Sequence, residues 1–160
     1  MDQLTSMGSS VGALLKERKE TVAVAESSAG GLVSAALLSV PGASAYFVGG
    51  GVIYTRDARR GLLDVPEEVA TMRASTEEYA LIMARHICKR LDSTWGVCET
   101  GATGPTGNRY GDDAGHVCFA VAGPIEQAAT IETGSPDREA NMWQFASGAL
   151  ALLEAVLQEK

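Results

Sequence analysis

Thr21-Val22-Ala23-Val24-Ala25-Glu26-Ser27-Ser28-Ala29-Gly30-Gly31, followed by Leu32 to Val40, is the stretch that decides the fold. Thr21 to Ala25 is a short apolar run with β-branched residues and reads as a buried strand. Leu32 to Val40 reads as a helix stopped by Pro41-Gly42. A strand passing through hydroxyls and glycines into a helix is the building unit of an α/β protein.

The flanks continue the pattern. Leu4, Met7, Val11, Leu14 and Leu15 recur every three to four residues and predict an amphipathic helix over about 3–19. Val52-Ile53-Tyr54, after Gly49-Gly50-Gly51, reads as a strand, and Thr55 to Leu63 as a helix broken by Asp64-Val65-Pro66. Pro66 can open a short helix reaching Met72. Ser75-Thr76-Glu77-Glu78 is a capping-box pattern, with Ser75 at the cap. The helix it opens places Tyr79, Met83, Ile87 and Leu91 on one face. Trp95 to Glu99 is a strand, Thr100 to Gly115 a long Gly-rich loop. His116 to Ala122 and Ala128 to Thr133 form a hairpin about Gly123-Pro124. Asp137 to Gln158 closes the chain as a helix burying Trp143, Ala146, Leu150 and Leu153. The expected fold is a single-domain, three-layer α/β/α sandwich around a mixed β-sheet, over residues 1–160.

Composition narrows the function. Thirteen Lys and Arg against twenty Asp and Glu leave a net charge of −7, so no nucleic-acid partner is expected. A local Arg cluster can still hold a small anion; Arg56, Arg59 and Arg60 crowd one stretch beside Tyr54. Neither a membrane span nor a signal peptide is visible, and Cys88, Cys98 and Cys118 lack metal or disulfide spacing. The expectation is a cytoplasmic protein with reduced thiols, no membrane partner, no metal and no cofactor. The triple glycine and exposed apolar candidates permit a tight subunit contact, and a homo-oligomer is expected.

Glycine collects where backbone turns tightly or approaches a ligand, and eleven of the eighteen glycines fall in three stretches. Ser27 and Ser28 stand near a predicted helix N-terminus, where free N–H groups attract anions. They read either as helix caps or as functional serines. Thr100 to Gly107 follows a strand, the position of ligand loops in α/β sheets, yet matches neither a Walker A loop nor GxGxxG. A plain surface loop is the other reading.

Together, Glu26 to Gly31, Pro41 to Phe47, Gly51 to Tyr54 and Thr100 to Pro105 resemble the CinA C-terminal domain family. That family includes bacterial nicotinamide mononucleotide deamidases. The resemblance runs from about Leu4 to Leu157. It implies hydrolysis of the NMN carboxamide to nicotinate mononucleotide and ammonia, by a serine nucleophile paired with a lysine and without metal. By position the nucleophile is Ser27; other active-site positions fall on Ser44, Tyr54, Thr100 and Arg138. Ser28, Gly30, Gly31 and Gly101 complete the expected substrate-binding set, with Gly30-Gly31 amides as oxyanion donors. Arg138 suits a substrate phosphate, and Tyr54 suits proton relay.

Three positions depart from the family pattern. Arg59 stands at the lysine position and joins the catalytic set as a group that cannot lose its proton. Ser28-Ala29 replaces Cys-Thr, and Asp112-Asp113-Ala114-Gly115 replaces Lys-Pro-Val-Gly. The leading expectation is an NMN amidohydrolase whose Ser27 is activated by something other than lysine, with a small mononucleotide as ligand. Two alternatives stand beside it. One is a non-catalytic mononucleotide- or phosphate-binding paralogue. The other is an amidase for a different carboxamide.

Overall fold

Alternation along the strands sorts the core into two unequal faces. The computed structural model describes residues 2–159. In chain order the elements are α1 (Asp2–Arg18), β1 (Val22–Glu26), α2 (Leu32–Leu38), a 3₁₀ turn (Ala43–Ala45), β2 (Phe47–Val52) and α3 (Arg56–Leu63). There follow α4 (Glu67–Ala70), α5 (Glu77–Leu91), β3 (Trp95–Gly101), β4 (His116–Ala122), β5 (Gln127–Glu132) and α6 (Arg138–Gln158). Val22, Val24, Trp95, Val97, Val117, Phe119 and Val121 point to the face covered by α1, α2 and α6. Ala23, Ala25, Cys98, Cys118, Ala120 and Ala122 point to the other, beneath α5. Large side chains fill the first space. On the second, small residues let the helix descend: a Cβ at Gly96 would overlap the Ala84 carbonyl of α5.

The sheet order is β2-β1-β3-β4-β5. β1 runs parallel to both β2 and β3, whereas β3–β4 and β4–β5 are antiparallel. This is the expected mixed sheet between two helical layers. The three parallel strands therefore end on one edge, delivering Ser27, Ile53-Tyr54 and Thr100-Gly101 side by side. Such an edge is where open α/β sheets hold ligands.

Three local expectations are corrected. The triple glycine does not precede a strand: Gly49 to Gly51 lie inside β2, pairing with Ala23 to Ala25, and Ile53 and Tyr54 fall beyond its end. Backbone pairing against β1 sets this strand, not side-chain propensity. The cap of α5 is Thr76, whose Oγ1 accepts from Tyr79 N–H, so the box with Ser75 and Glu78 does not form. Ser75 instead adopts a left-handed backbone (φ 59°) and faces the site. Leu91, read as a buried position, is partly exposed.

α1 carries buried Gly8 and Gly12 one turn apart. A Cβ at Gly8 would overlap the Ala36 carbonyl of α2, and one at Gly12 would lie 2.8 Å from Tyr46 Oη. In an exposed helix Gly→Ala stabilises by about 1 kcal/mol. Here the sign reverses: Gly8→Ala is expected to destabilise by about 1–3 kcal/mol in urea unfolding, because the helices must separate.

Candidate functional site

Two buried glutamates shape the turn between β1 and α2. Glu26 closes β1, and its carboxylate accepts the N–H groups of Val33 and Ser34, each at 2.9 Å. It thereby takes two amides of the first helical turn. Gly31 occupies the cap position with φ 98° and no capping side chain. Neither Ser27 nor Ser28 caps the helix, and a substrate oxyanion would find that end already held by Glu26. Gly30 and Gly31 turn the chain at φ 67° and 98°, and neither lines the cleft described below.

Glu99 does the corresponding work from β3. Only 1% exposed, it accepts Ser27 N–H at 3.0 Å and Ala29 N–H at 2.8 Å, both on Oε2. Its Oε1 accepts the Ser28 hydroxyl. Burial pushes the Glu99 carboxyl up, against the pull of these three donors; the nearby Glu26 adds to the rise.

Above this turn lies a cleft of about 460 Å³, within the range of small-molecule sites. Ser27, Tyr54, Thr100 and Gly101 line it, with Ser75 and Asn108 closing the far wall. A smaller lobe of about 200 Å³ adjoins it through Tyr54, Gly101 and Asn108, and adds Ser28 and Arg138. Tyr54 is 57% exposed, and its hydroxyl accepts from Arg138 Nη2 at 3.3 Å. Arg138 Nη1 donates to the Gly104 carbonyl at 2.6 Å. Thr100 Oγ1 accepts Ser75 N–H at 3.1 Å. Residues distant in sequence thus meet on one edge. Ser44 does not join them. It sits exposed on the 3₁₀ turn before β2, at the opposite end of the sheet.

The basic wall differs from the linear reading. Arg56, Arg59 and Arg109 line the larger lobe. Arg60 turns away to pair with Glu67 at 2.6 Å. Arg59 is 5% exposed, and its Nη1 donates to the carbonyls of Ala70 at 2.9 Å and Met72 at 3.1 Å. Its guanidinium also stacks 4.6 Å from the centre of the Tyr79 ring. At the family's lysine position there is therefore a fixed cation that ties the end of α4 to the cleft, not a group able to accept a proton.

Sequence reasoning missed Glu99, Ser75, Asn108, Arg109 and Tyr110. The side chain of Asn108 accepts the N–H groups of Tyr110 and Asp112 and donates to Asp112, folding the loop on itself. Asp112 in turn takes both contacts from Arg73. His116 anchors this loop from β4: its Nδ1 meets the Glu132 carboxylate and its Nε2 the Ser75 carbonyl. Both partners are acceptors, so both ring nitrogens donate in the imidazolium form. Burial pulls the His116 pKa down, but Glu132, the Ser75 carbonyl and Asp112 outweigh it and leave it raised. An acidic residue ending a strand is the one signal that pointed to Glu99; the Asn-Arg-Tyr-Gly run carried the loop.

A layered α/β domain with a polar cleft where parallel strands end is the architecture in which open α/β sheets place their clefts. The family model for the CinA C-terminal domain matches residues 4–157. A CinA-like protein of Synechocystis is 40% identical over 149 residues, covering 92% of this chain and 36% of its own length. One of Desulfosudis oleivorans is 38% identical with the same coverage. The chain thus spans about a third of the length of these curated relatives. A crystal structure of a competence-damaged protein (CinA) superfamily member from Klebsiella pneumoniae superposes with a TM-score of 0.90 at 26% identity, covering 98% of this chain and 99% of the other. The competence/damage inducible protein CihA of Agrobacterium tumefaciens gives a TM-score of 0.88 at 28% identity, covering 97% and 96%. The chain belongs to the CinA C-terminal domain family. Among the described residues, no helix is long and apolar enough to cross a membrane.

Two measurements check the geometry. Arg59→Lys is expected to lower unfolding free energy by about 1–3 kcal/mol, since an ammonium cannot reproduce the paired carbonyl contacts and the stacking. For His116 the raised pKa means its stabilisation is present below about pH 6.5 and lost as pH rises through the folded value. Wild type should therefore exceed His116→Gln in thermal midpoint at about pH 6, and the gap should narrow by about pH 8.

Proposed function

We propose that this chain is an amidohydrolase that cleaves the carboxamide of nicotinamide mononucleotide, releasing nicotinate mononucleotide and ammonia. One observation carries the reading: serine hydroxyls and guanidinium groups that, among the described residues, have no carboxylate partner share one cleft at the ends of β1, β2 and β3. Amide hydrolysis needs a nucleophile near an electrophilic carbon, and a mononucleotide adds a phosphate that guanidinium groups recognise. The Ser27-Ser28 pair supplies hydroxyls; Arg138 and Arg56 supply positive charge at opposite ends of the two lobes. Tyr54, between the lobes and bonded to Arg138, is placed to orient the nucleotide or relay a proton. Membership of the CinA C-terminal domain family supports this choice of reaction class.

The fixed Arg59 favours a second reading, a mononucleotide-binding paralogue without turnover, because the lysine base is replaced by a cation that cannot deprotonate. Incubating the pure protein with NMN and assaying ammonia separates the two. Turnover that disappears in a Ser27→Ala/Ser28→Ala double variant is the expected result. Calorimetric binding of NMN without ammonia release favours the binding protein. Neither binding nor release rejects the mononucleotide as ligand.

A further inference from the structure

The larger cleft lacks an evident base. Arg56, Arg59 and Arg109 do not lose protons, and Asp57 is exposed and pairs with Arg60. One carboxylate meets a serine hydroxyl, and that serine is not Ser27. The three donors at Glu99 are divided between its oxygens: Oε2 accepts both backbone amides, of Ser27 and Ala29, while Oε1 accepts the Ser28 hydroxyl. An anchor for the turn needs only the first oxygen. The second is spent on the one side chain that also lines the smaller lobe beside Tyr54 and Arg138.

From this geometry we infer that Ser28 is the nucleophile of the cleft and Glu99 its general base, a pair that replaces the missing lysine. The inference rests on reading the cleft as that of an amidohydrolase. Ser28 Oγ attacks the carboxamide carbon and its proton passes to Glu99 Oε1. The tetrahedral centre then collapses: the C–N bond breaks and the nitrogen leaves as ammonia with the proton from Glu99. Water attacks the resulting ester while Glu99 takes its proton. The C–O bond to Ser28 breaks, and that proton restores the hydroxyl. One water is consumed, and one carboxylic acid and one ammonia are formed. Burial strengthens Glu99 for this task, because a carboxylate whose pKa is raised is a stronger base. The amides on Oε2 meanwhile hold the carboxylate in place through the cycle.

The test uses the whole chain and two probes, NMN and an alkyl fluorophosphonate that transfers its phosphonyl group to an activated serine with loss of fluoride. Tandem mass spectrometry then locates the adduct. The expected adduct is on Ser28, and Glu99→Gln should slow labelling roughly 10²–10⁴-fold, the usual contribution of a general base. An adduct on Ser27, no adduct at all, or labelling of Glu99→Gln at the wild-type rate overturns the pair. Should Glu99→Gln fail to fold, the wild-type labelling rate decides. A rise with pH through one ionisation above the usual carboxylate range of about 4 supports Glu99, and a rate that shows no such ionisation overturns it. Adduct on Ser28 without ammonia from NMN keeps the pair and rejects the substrate. Ammonia from NMN with the adduct on Ser27 does the reverse.

Discussion

Two carboxylates out of water hold the turn on which the site is built. Glu26, at the end of β1, and Glu99, two residues before the end of β3, lie on neighbouring parallel strands, and between them they accept four backbone amides and one hydroxyl. A buried charge is costly unless hydrogen bonds replace its hydration. The chain meets that demand with the amides of the turn itself, so the turn has one way to lie. Removing either carboxylate would leave several buried N–H groups without acceptors, each costing about 1–3 kcal/mol. The placement of Ser27 and Ser28 is thus a by-product of satisfying these two side chains.

The cleft inherits its other walls from the same edge. Because β1, β2 and β3 are parallel, their successors emerge together, and Tyr54 and Thr100 reach the serines without any long-range loop. The remaining wall is the loop from Gly104 to Gly115. His116 fastens it by the Ser75 carbonyl, Asn108 by the loop amides of Tyr110 and Asp112, and Asp112 by the side chains of Asn108 and Arg73. Arg59 fastens α4 in the same way. Charge at this site serves architecture as well as lining: Arg56, Arg59, Arg109 and Arg138 all border the cleft, and Arg59 and Arg138 also hold backbone carbonyls.

Much of this was legible in the chain. The apolar run of Thr21 to Ala25 predicts a buried strand, His116 to Ala122 and Ala128 to Thr133 predict a hairpin, and the alternation of helices and strands predicts the layered fold. β2 was not legible, because three glycines carry no side-chain pattern and only pairing with β1 makes them a strand. Ser44 was misplaced because adjacency of motifs along a chain says nothing about which end of a strand they occupy. The helix start at Gly30-Gly31 looked like an anion site because sequence cannot show that Glu26 folds back onto it. Glu99 looked like the exit of a strand, whereas β3 continues to Gly101 and keeps it buried. Each miss involves a polar group whose partner is remote in sequence. Apolar periodicity is local and survives in one dimension; hydrogen-bond partnership does not.

The unequal faces of the sheet bear on how this domain can change over time. Beneath α5 the strands present alanine, cysteine and glycine, and the helix backbone rests almost on the sheet. Added volume there has nowhere to go except between layers. The opposite face, filled by Trp95, Phe119, Phe145 and branched aliphatics, can exchange one large side chain for another while total volume is kept. Drift in sequence is therefore channelled to one side of the sheet. The other side, which carries Cys98 next to Glu99, acts as a fixed datum from which the cleft is measured.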